Sequence, residues 1–306
     1  MKLPFHTLDV FTDRPFGGNP LGVFPDAAHL PPELMQKIAR QMNLSETVFL
    51  GPPETREGTA RVRIFTPAVE VPFAGHPTVG SAIFLADRGA GRRDANGERA
   101  TLVLEENVGP VAVDVRLEDG RPVFARFTTA MLPEHRPCTL AAPDLAAMLG
   151  LEPSQIGFDG LAPEMVSCGL PYLVVPVRTL NAIRSAALDT GRWRSLVAGA
   201  WAHHVYLVCP EAEGEGVDVR VRMFAPGSGV PEDPATGSAA AALGGYLSVA
   251  DGRQEGALSW TVEQGIECGR PSLLYVEADR AEGATTAVRV GGAAVAVSEG
   301  VMTIPD

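Results

Sequence analysis

The chain has 306 residues, enough at roughly 150 residues per domain for two domains with separate hydrophobic cores. Apolar residues make up 45% and aromatics 6%, so Ala, Val, Leu and Ile dominate those cores, and 33 glycines with 26 prolines give a turn-rich chain that is not low in complexity. A net charge of −12, with no basic run able to follow a phosphate backbone, argues against a nucleic-acid partner.

In chain order, the first predicted helix runs from Pro32 to Met42, with Leu34, Ile38 and Met42 in register. Asn43-Leu-Ser-Glu46-Thr47 then precedes a strand-like run, Val48 to Leu50. A strand over Val62 to Phe65 leads through a loop into a helix from Pro77 to Asp87, which presents Val79, Ile83 and Phe84 to a core and stops at Gly89. Strands follow at Thr101 to Leu104, Val111 to Val115 and Val123 to Phe127. The proline-bearing segment Met131 to Pro143 marks the domain boundary: 1–130 form an N-terminal barrel domain, 131–289 a C-terminal one, and the last strand, about 290–306, returns to the first. The second half reads as a helix Pro143 to Leu149, a strand Tyr172 to Val175, a helix Arg192 to Ala200 and strands Val205 to Val208 and Val219 to Phe224. A helix from Pro234 to Val249, with Leu243 and Leu247 four apart, precedes strands at Ala257 to Val262, Leu273 to Val276 and Ala293 to Val297.

Several familiar chemistries lack their residues. Lys2 and Lys37 are the only lysines, leaving almost no candidate for a Schiff base or a P-loop. Cys138, Cys168, Cys209 and Cys268 contain no C-x-x-C pair, so reduced, buried thiols are expected and no metal site. There is no G-x-G-x-x-G, G-x-S-x-G or H-E-x-x-H. His203 and His204 are strand neighbours facing opposite ways, one buried and one exposed. No signal segment and no window near ~18 apolar residues is present, so a cytoplasmic protein without membrane association is expected.

The informative feature is an internal repeat. Val62 to Pro72, VRIFTPAVEVP, matches Val221 to Pro231, VRMFAPGSGVP, and after a short gap Pro77-Thr-Val-Gly80-Ser81-Ala82 matches Pro234-Ala-Thr-Gly237-Ser238-Ala239. Upstream, Gly18-Asn19-Pro20-Leu-Gly-Val23 echoes Gly169-Leu-Pro171-Tyr-Leu-Val174. Each copy reads as a strand, a loop and a helix opening on Pro, apolar enough to be wrapped by sheet. The fold class is therefore α+β: two pseudo-symmetric domains, each a β-barrel-like sheet around a central helix.

In this reading His76 and Asp233 are pseudo-equivalent cap residues, immediately before Pro77 and Pro234. Free N–H groups and the dipole at a helix start favour a carboxylate or a developing negative charge. Two such starts facing each other across a cleft would hold a small anionic substrate between them. Singly the residues are ordinary: Asp-Pro is a common cap, His76 suits a loop histidine, and Glu46 suits a solvated loop.

Together they resemble the PhzF family of phenazine-biosynthesis isomerases, which have the diaminopimelate-epimerase-like fold. The resemblance is carried by Asp9-Val-Phe11, Gly18-Asn19-Pro20, Asn43-Leu-Ser-Glu46-Thr, Phe73-Ala-Gly75-His76-Pro77-Thr, Asp233-Pro-Ala-Thr236-Gly237-Ser238, and Gln264-Gly265 with Gly269-Arg270-Pro271-Ser272. It implies paired barrel domains, a site in the cleft, homodimers, and acid/base chemistry without a cofactor. Glu46 matches the family's proton-transferring carboxylate, with His76 and Asp233 assisting as the other catalytic residues. Asn19, Gly75, Gly237 and Ser238 are assigned to substrate binding. The two-thiol arrangement of epimerases with this fold is not matched, because His76 and Asp233 stand at those places and the thiols lie elsewhere.

The resulting expectation is an isomerase of the trans-2,3-dihydro-3-hydroxyanthranilate type, with Glu46 shifting a proton between carbons of one substrate. Burial in a closed cleft would raise a carboxyl pKa from ~4.3 towards a useful base strength. Alternatives are an epimerase or dehydratase acting on an amino or hydroxy acid, or a non-catalytic binding protein that keeps the fold. Ala239 to Ala242 after Ser238 suggest a plainer pocket than some relatives have.

Overall fold

The structure, a computed structural model, describes residues 1–304 and divides the chain into two compact units. Unit 1 comprises Met1–Ala130 and the segment from Val290 onward; unit 2 comprises Met131–Arg289.

In unit 1 the order is β1 (Lys2–Val10), β2 (Asn19–Phe24), α1 (Pro32–Met42), β3 (Glu46–Gly51), β4 (Ala60–Phe65), β5 (Glu70–Val71), α2 (Gly75–Asp87), β6 (Arg92–Arg93), β7 (Arg99–Glu106), β8 (Gly109–Glu118) and β9 (Arg121–Thr128). Unit 2 continues with β10 (Glu134–Pro137), α3 (Ala142–Leu149), β11 (Glu164–Ser167), β12 (Pro171–Pro176), α4 (Leu180–Ser185), α5 (Thr190–Leu196), β13 (His204–Cys209), β14 (Val219–Ala225), β15 (Val230–Asp233), α6 (Gly237–Asp251), β16 (Gly256–Gln264), β17 (Ser272–Ala281) and β18 (Ala284–Gly292). β19 (Ala294–Thr303) belongs to unit 1, antiparallel to β1.

The sheet of unit 1 runs β19, β1, β2, β3, β4, β7, β8, β9, with β2–β3 and β4–β7 parallel and the other pairs antiparallel. It curls around α2, which packs against β1, β2, β3, β7, β8, β9 and β19. The sequence explains this enclosure: α2 is apolar on every side and continuously buried from Gly75 to Phe84, as a helix without a polar face must be. Val79, Ile83 and Phe84 are buried as predicted, each contributing about 1.5–3 kcal/mol of apolar transfer. A Cβ on Gly80 would stand 2.5 Å from Leu21 and 2.8 Å from Val10, so glycine is what lets the helix close onto β1 and β2. Outside the sheet, α1 seals a second cluster of Phe24, Phe49 and Phe65. Its deepest side chains are Met35, Ile38 and Ala39, whereas Leu34 and Met42 are half-buried at the edge.

Unit 2 repeats the plan. β10 to β14 pair in succession, with β12–β13 parallel; β14 also pairs with β15 and, in parallel, with β16, which pairs with β17. α6 packs on β11, β12, β16 and β17 and is as thoroughly buried as α2. An outer cluster joins Leu145, Leu149, Ile183 and Trp193 to Leu173, Val175, Val205 and Leu207.

Several sequence expectations are corrected. α2 starts at Gly75 with Ala74 as N-cap, so His76 lies inside the first turn and Pro77 is its third residue. Proline is tolerated there because the first few helical N–H groups have no intrahelical acceptor in any case. α6 starts at Gly237 with Thr236 as N-cap. Pro234 therefore precedes the helix, in a turn where its carbonyl accepts from Ser272 Oγ at 3.0 Å. α5 ends at Leu196 rather than Ala200, and its Trp193 indole donates to the His203 carbonyl at 2.8 Å. His204 is buried while His203 is half-buried. The four cysteines are free, but only Cys168 and Cys209 are buried; Cys138 and Cys268 are half-buried. No helix among the described residues is long and apolar enough to cross a membrane.

Candidate active site

Three side chains from three elements of unit 1 converge at the start of α2. Asn19 opens β2 directly after Gly18, whose φ of +61° and whose absent Cβ, which would lie 2.3 Å from the Val10 carbonyl, fix the entry to that strand. Glu46 is the first residue of β3 and pairs in register with Leu21 of the parallel β2. His76 is the second residue of α2.

His76 Nδ1 lies 3.3 Å from Glu46 Oε2 and 3.3 Å from Asn19 Nδ2. The His76 side chain is 3% exposed and that of Glu46 17% exposed, so the carboxylate is the member of the pair that reaches outward. Burial pushes the His76 pKa down to about 3, so the ring is neutral at physiological pH and this contact is not an ion pair. Its Nε2 is buried with no hydrogen-bond partner among the described residues. A neutral imidazole offers one donor and one acceptor: with the proton on Nε2, its Nδ1 accepts from Asn19 Nδ2, and the Glu46 oxygen stands beside it at 3.3 Å. A carboxylate backed by such a ring can take up and release a proton without placing a net positive charge in the interior.

In unit 2, Asp233 ends β15 opposite Met223 and is buried. Its Oδ2 accepts from Thr236 Oγ1 at 2.6 Å. Gln264 ties the same turn together: its Nε2 donates to the Asp233 carbonyl at 2.8 Å and to Thr236 Oγ1 at 3.0 Å, while its Oε1 accepts from the Thr236 N–H at 3.1 Å. Asp233 therefore holds the residue that precedes α6, and does not itself cap the helix as the sequence reading had it. Gly237 and Ser238 are the first two residues of α6, and Ser238 Oγ shares a 2.6 Å hydrogen bond with Tyr172 OH. Gly265, at φ +79°, sits where a Cβ would lie 2.4 Å from both the Pro234 and Arg270 carbonyls, locking the preceding turn.

Strand registers reveal the equivalences that the sequence alignment displaced. Leu21 opposes Glu46 in unit 1 as Tyr172 opposes His204 in unit 2, and Val48–Ile64 matches Tyr206–Met223. At the helices, Ala74-Gly75-His76 matches Thr236-Gly237-Ser238. Val71 opposes Ile64 where Asp233 opposes Met223. His76 thus corresponds to Ser238, and Asp233 to Val71. The prolines misled because the loop of the second copy is longer and includes the extra turn Pro226–Ser228.

Sequence reasoning missed His204, Tyr206 and Glu106. His204 is buried, bonded through Nε2 to Ser228 Oγ at 3.0 Å, and burial, then His203, push its pKa down to about 4. Tyr206 is fully buried and its hydroxyl has no hydrogen-bond partner among the described residues. Burial, then Tyr172 and Asp233, hold its pKa well above the ordinary tyrosine value. His204 and Tyr206 lie in an apolar strand run whose pattern marks them as core, so only pairing registers could have singled them out, whereas Glu106 ends β7 beside Glu105. Among the described residues no three His, Cys, Asp or Glu side chains cluster as metal ligands.

Two units, each a curled sheet around one buried helix, give the α+β, diaminopimelate-epimerase-like fold, and this chain sets a carboxylate–imidazole pair at one of its helix starts. A model of the PhzC-PhzF family, described as phenazine biosynthesis-like protein, matches residues 8–300, and the chain belongs to that family. It is 43% identical over 299 residues to an uncharacterized isomerase of Mesorhizobium japonicum, covering 97% of each chain. It is 35% identical over 301 residues to the trans-2,3-dihydro-3-hydroxyanthranilate isomerase of Pseudomonas fluorescens, covering 97% of this chain and 98% of that one. Among solved structures, the PhzF-family phenazine biosynthesis protein of Bacillus anthracis superposes with a TM-score of 0.88 at 26% identity, over 99% of this chain and 100% of that one. The chain is a PhzF-like isomerase.

Proposed function

We propose that the protein is a cofactor-independent isomerase that moves a proton within a small anionic substrate of the trans-2,3-dihydro-3-hydroxyanthranilate type. The observation that carries this reading is the 3.3 Å Glu46–His76 contact, in which an outward-reaching carboxylate is backed by a buried neutral imidazole. Glu46 removes a proton from a carbon made acidic by conjugation. The electron pair delocalises over the conjugated system, and the proton is returned to another carbon of the same molecule, so substrate and product have the same composition. The neutral His76 ring stands 3.3 Å from the Glu46 carboxyl and keeps a second charge out of the interior while Glu46 takes up and releases the proton.

The N–H groups of Gly75, Gly237 and Ser238, each in the buried first turn of α2 or α6, are assigned to substrate oxygens and to the charge of the delocalised intermediate. Asn19 orients His76, and Asp233 orders the turn before α6. The match to isomerases along nearly the whole chain supports the reaction class. The same reading takes the enzyme as a cytoplasmic homodimer; its four free thiols suit a reducing compartment, and light scattering on the purified protein tests the dimer.

The test of function is incubation of the purified enzyme with trans-2,3-dihydro-3-hydroxyanthranilate in heavy water, followed by NMR. The expected result is conversion to an isomeric ketone, with the migrated hydrogen largely retained as protium. Deuterium at an inverted centre of an added amino or hydroxy acid, or loss of water from it, would replace this reading with an epimerase or a dehydratase. No conversion of any small carboxylate would favour a binding protein.

A further inference from the structure

Glu106, at the end of β7, is 4% exposed and takes no part in the chemistry described above. Its Oε1 lies 2.6 Å from Thr78 Oγ1, and Thr78 Oγ1 in turn lies 2.8 Å from the Ala74 carbonyl. Thr78 has one hydroxyl hydrogen, and a carbonyl can only accept. With that hydrogen directed to Ala74, the Glu106–Thr78 contact is a hydrogen bond only if Glu106 supplies the proton, as a neutral carboxylic acid. Glu106 Oε2 is buried with no hydrogen-bond partner among the described residues, so an ionised carboxylate would be left unsolvated on that side.

The repeat supports this assignment. Arg61 pairs with Glu105 as Arg220 pairs with Glu263, so Glu106 occupies the strand position of Gln264. Gln264 pins the start of α6 through its permanently neutral amide. The corresponding residue in unit 1 is a carboxyl, which can donate as the Gln264 amide does only while protonated.

We propose that Glu106, as a neutral acid, is a positioning residue for the Glu46–His76 pair, fixing through Thr78 and the Ala74 carbonyl the first turn of α2 from which His76 projects. Its catalytic consequence rests on the isomerase reading above; its structural part does not. The charged groups around Glu106 are few. Burial raises its pKa to about 8, prevailing over the Thr78 hydroxyl and then the Arg61 guanidinium of β4, both of which draw it down. On β7 itself Glu105 is turned to the backbone N–H groups of Glu54 and Thr55. Arg63 and Glu70, on β4 and β5, pair with each other. From α2 the group facing Glu106 is the uncharged Thr78. Above pH 8, ionised Glu106 loses its donor and draws the Thr78 hydrogen to itself, leaving the Ala74 carbonyl held by the Thr78 N–H alone, at 3.2 Å.

The experiment compares the wild type, Glu106→Gln and Glu106→Ala between pH 6 and 10, by turnover, by thermal melting and by nitrogen NMR of the histidine rings. At pH 7, Glu106→Gln is expected to keep turnover within about threefold, and Glu106→Ala to lose at least about tenfold in kcat with a smaller change in KM. As pH rises through 8, wild-type turnover and Tm should fall and the His76 resonances shift, while Glu106→Gln holds all three steady. Gln as damaging as Ala at pH 7, or identical alkaline profiles for the wild type and Glu106→Gln, would overturn the proposal. If the wild type turns over no substrate, the isomerase reading fails, and the melting and NMR profiles alone still decide the role of Glu106.

Discussion

The starts of α2 and α6 share one scaffold and differ in what it carries. In unit 1 the register positions hold Glu46 and His76, two titratable groups 3.3 Å apart. In unit 2 the same positions hold His204 and Ser238, and the hydrogen bonds run through Tyr172, Thr236 and Gln264. Leu21 and Val48 of unit 1 become Tyr172 and Tyr206 in unit 2. The comparison teaches that a buried helix wrapped by sheet tolerates either chemistry at its first turn, because the enclosure is made by apolar residues further along the helix. The carboxylate–imidazole pair stands in one copy, and the other presents hydroxyl and amide groups at the same place.

The largest effect expected from this asymmetry falls on Glu46. Glu46→Gln should lower kcat by about 10³-fold, near 4 kcal/mol of barrier, with an unchanged melting temperature. Equal loss from Ser238→Ala would erase the distinction between the copies.

Next comes the turn behind α6. Gly265→Ala, which puts a Cβ 2.4 Å from two carbonyl oxygens at a positive φ, should cost roughly 2–4 kcal/mol in urea unfolding. Asp233→Ala should cost about 1–3 kcal/mol by stranding the buried Thr236 hydroxyl, with Asp233→Asn milder because an acceptor remains.

A smaller effect separates the histidines by pH. The folded pKa values of His76 and His204, about 3 and about 4, lie below the ordinary 6.5, so between those values the unfolded chain binds more protons. Stability is therefore complete well above pH 6.5 and lost as pH falls, by about 1.4 kcal/mol per histidine at pH 5.5. His204→Gln should halve that slope; an unchanged slope would contradict burial as its cause. Tyr172→Phe, which removes one hydrogen bond to Ser238, should cost about 1 kcal/mol.

Much of this was legible in the sequence. The repeated strand–loop–helix units and the wholly apolar helices follow from patterning, and Asn19, Glu46 and His76 do converge. The pairing of His76 with Asp233 was not legible correctly, because proline matches outweighed a loop-length difference that only strand registers expose. Glu106 was invisible for another reason. Beside Glu105 at a strand end it reads as solvated charge, and only its burial against Thr78 shows a carboxyl that must keep its proton.

The central claim is that Glu46 and His76 act as one proton-handling unit. A double-mutant cycle on kcat tests it most directly, using Glu46→Gln, His76→Asn and the double variant, all three shown to be folded. The account requires the double variant to lose no more than the worse single variant. Losses that multiply, each residue contributing independently of the other, would contradict it.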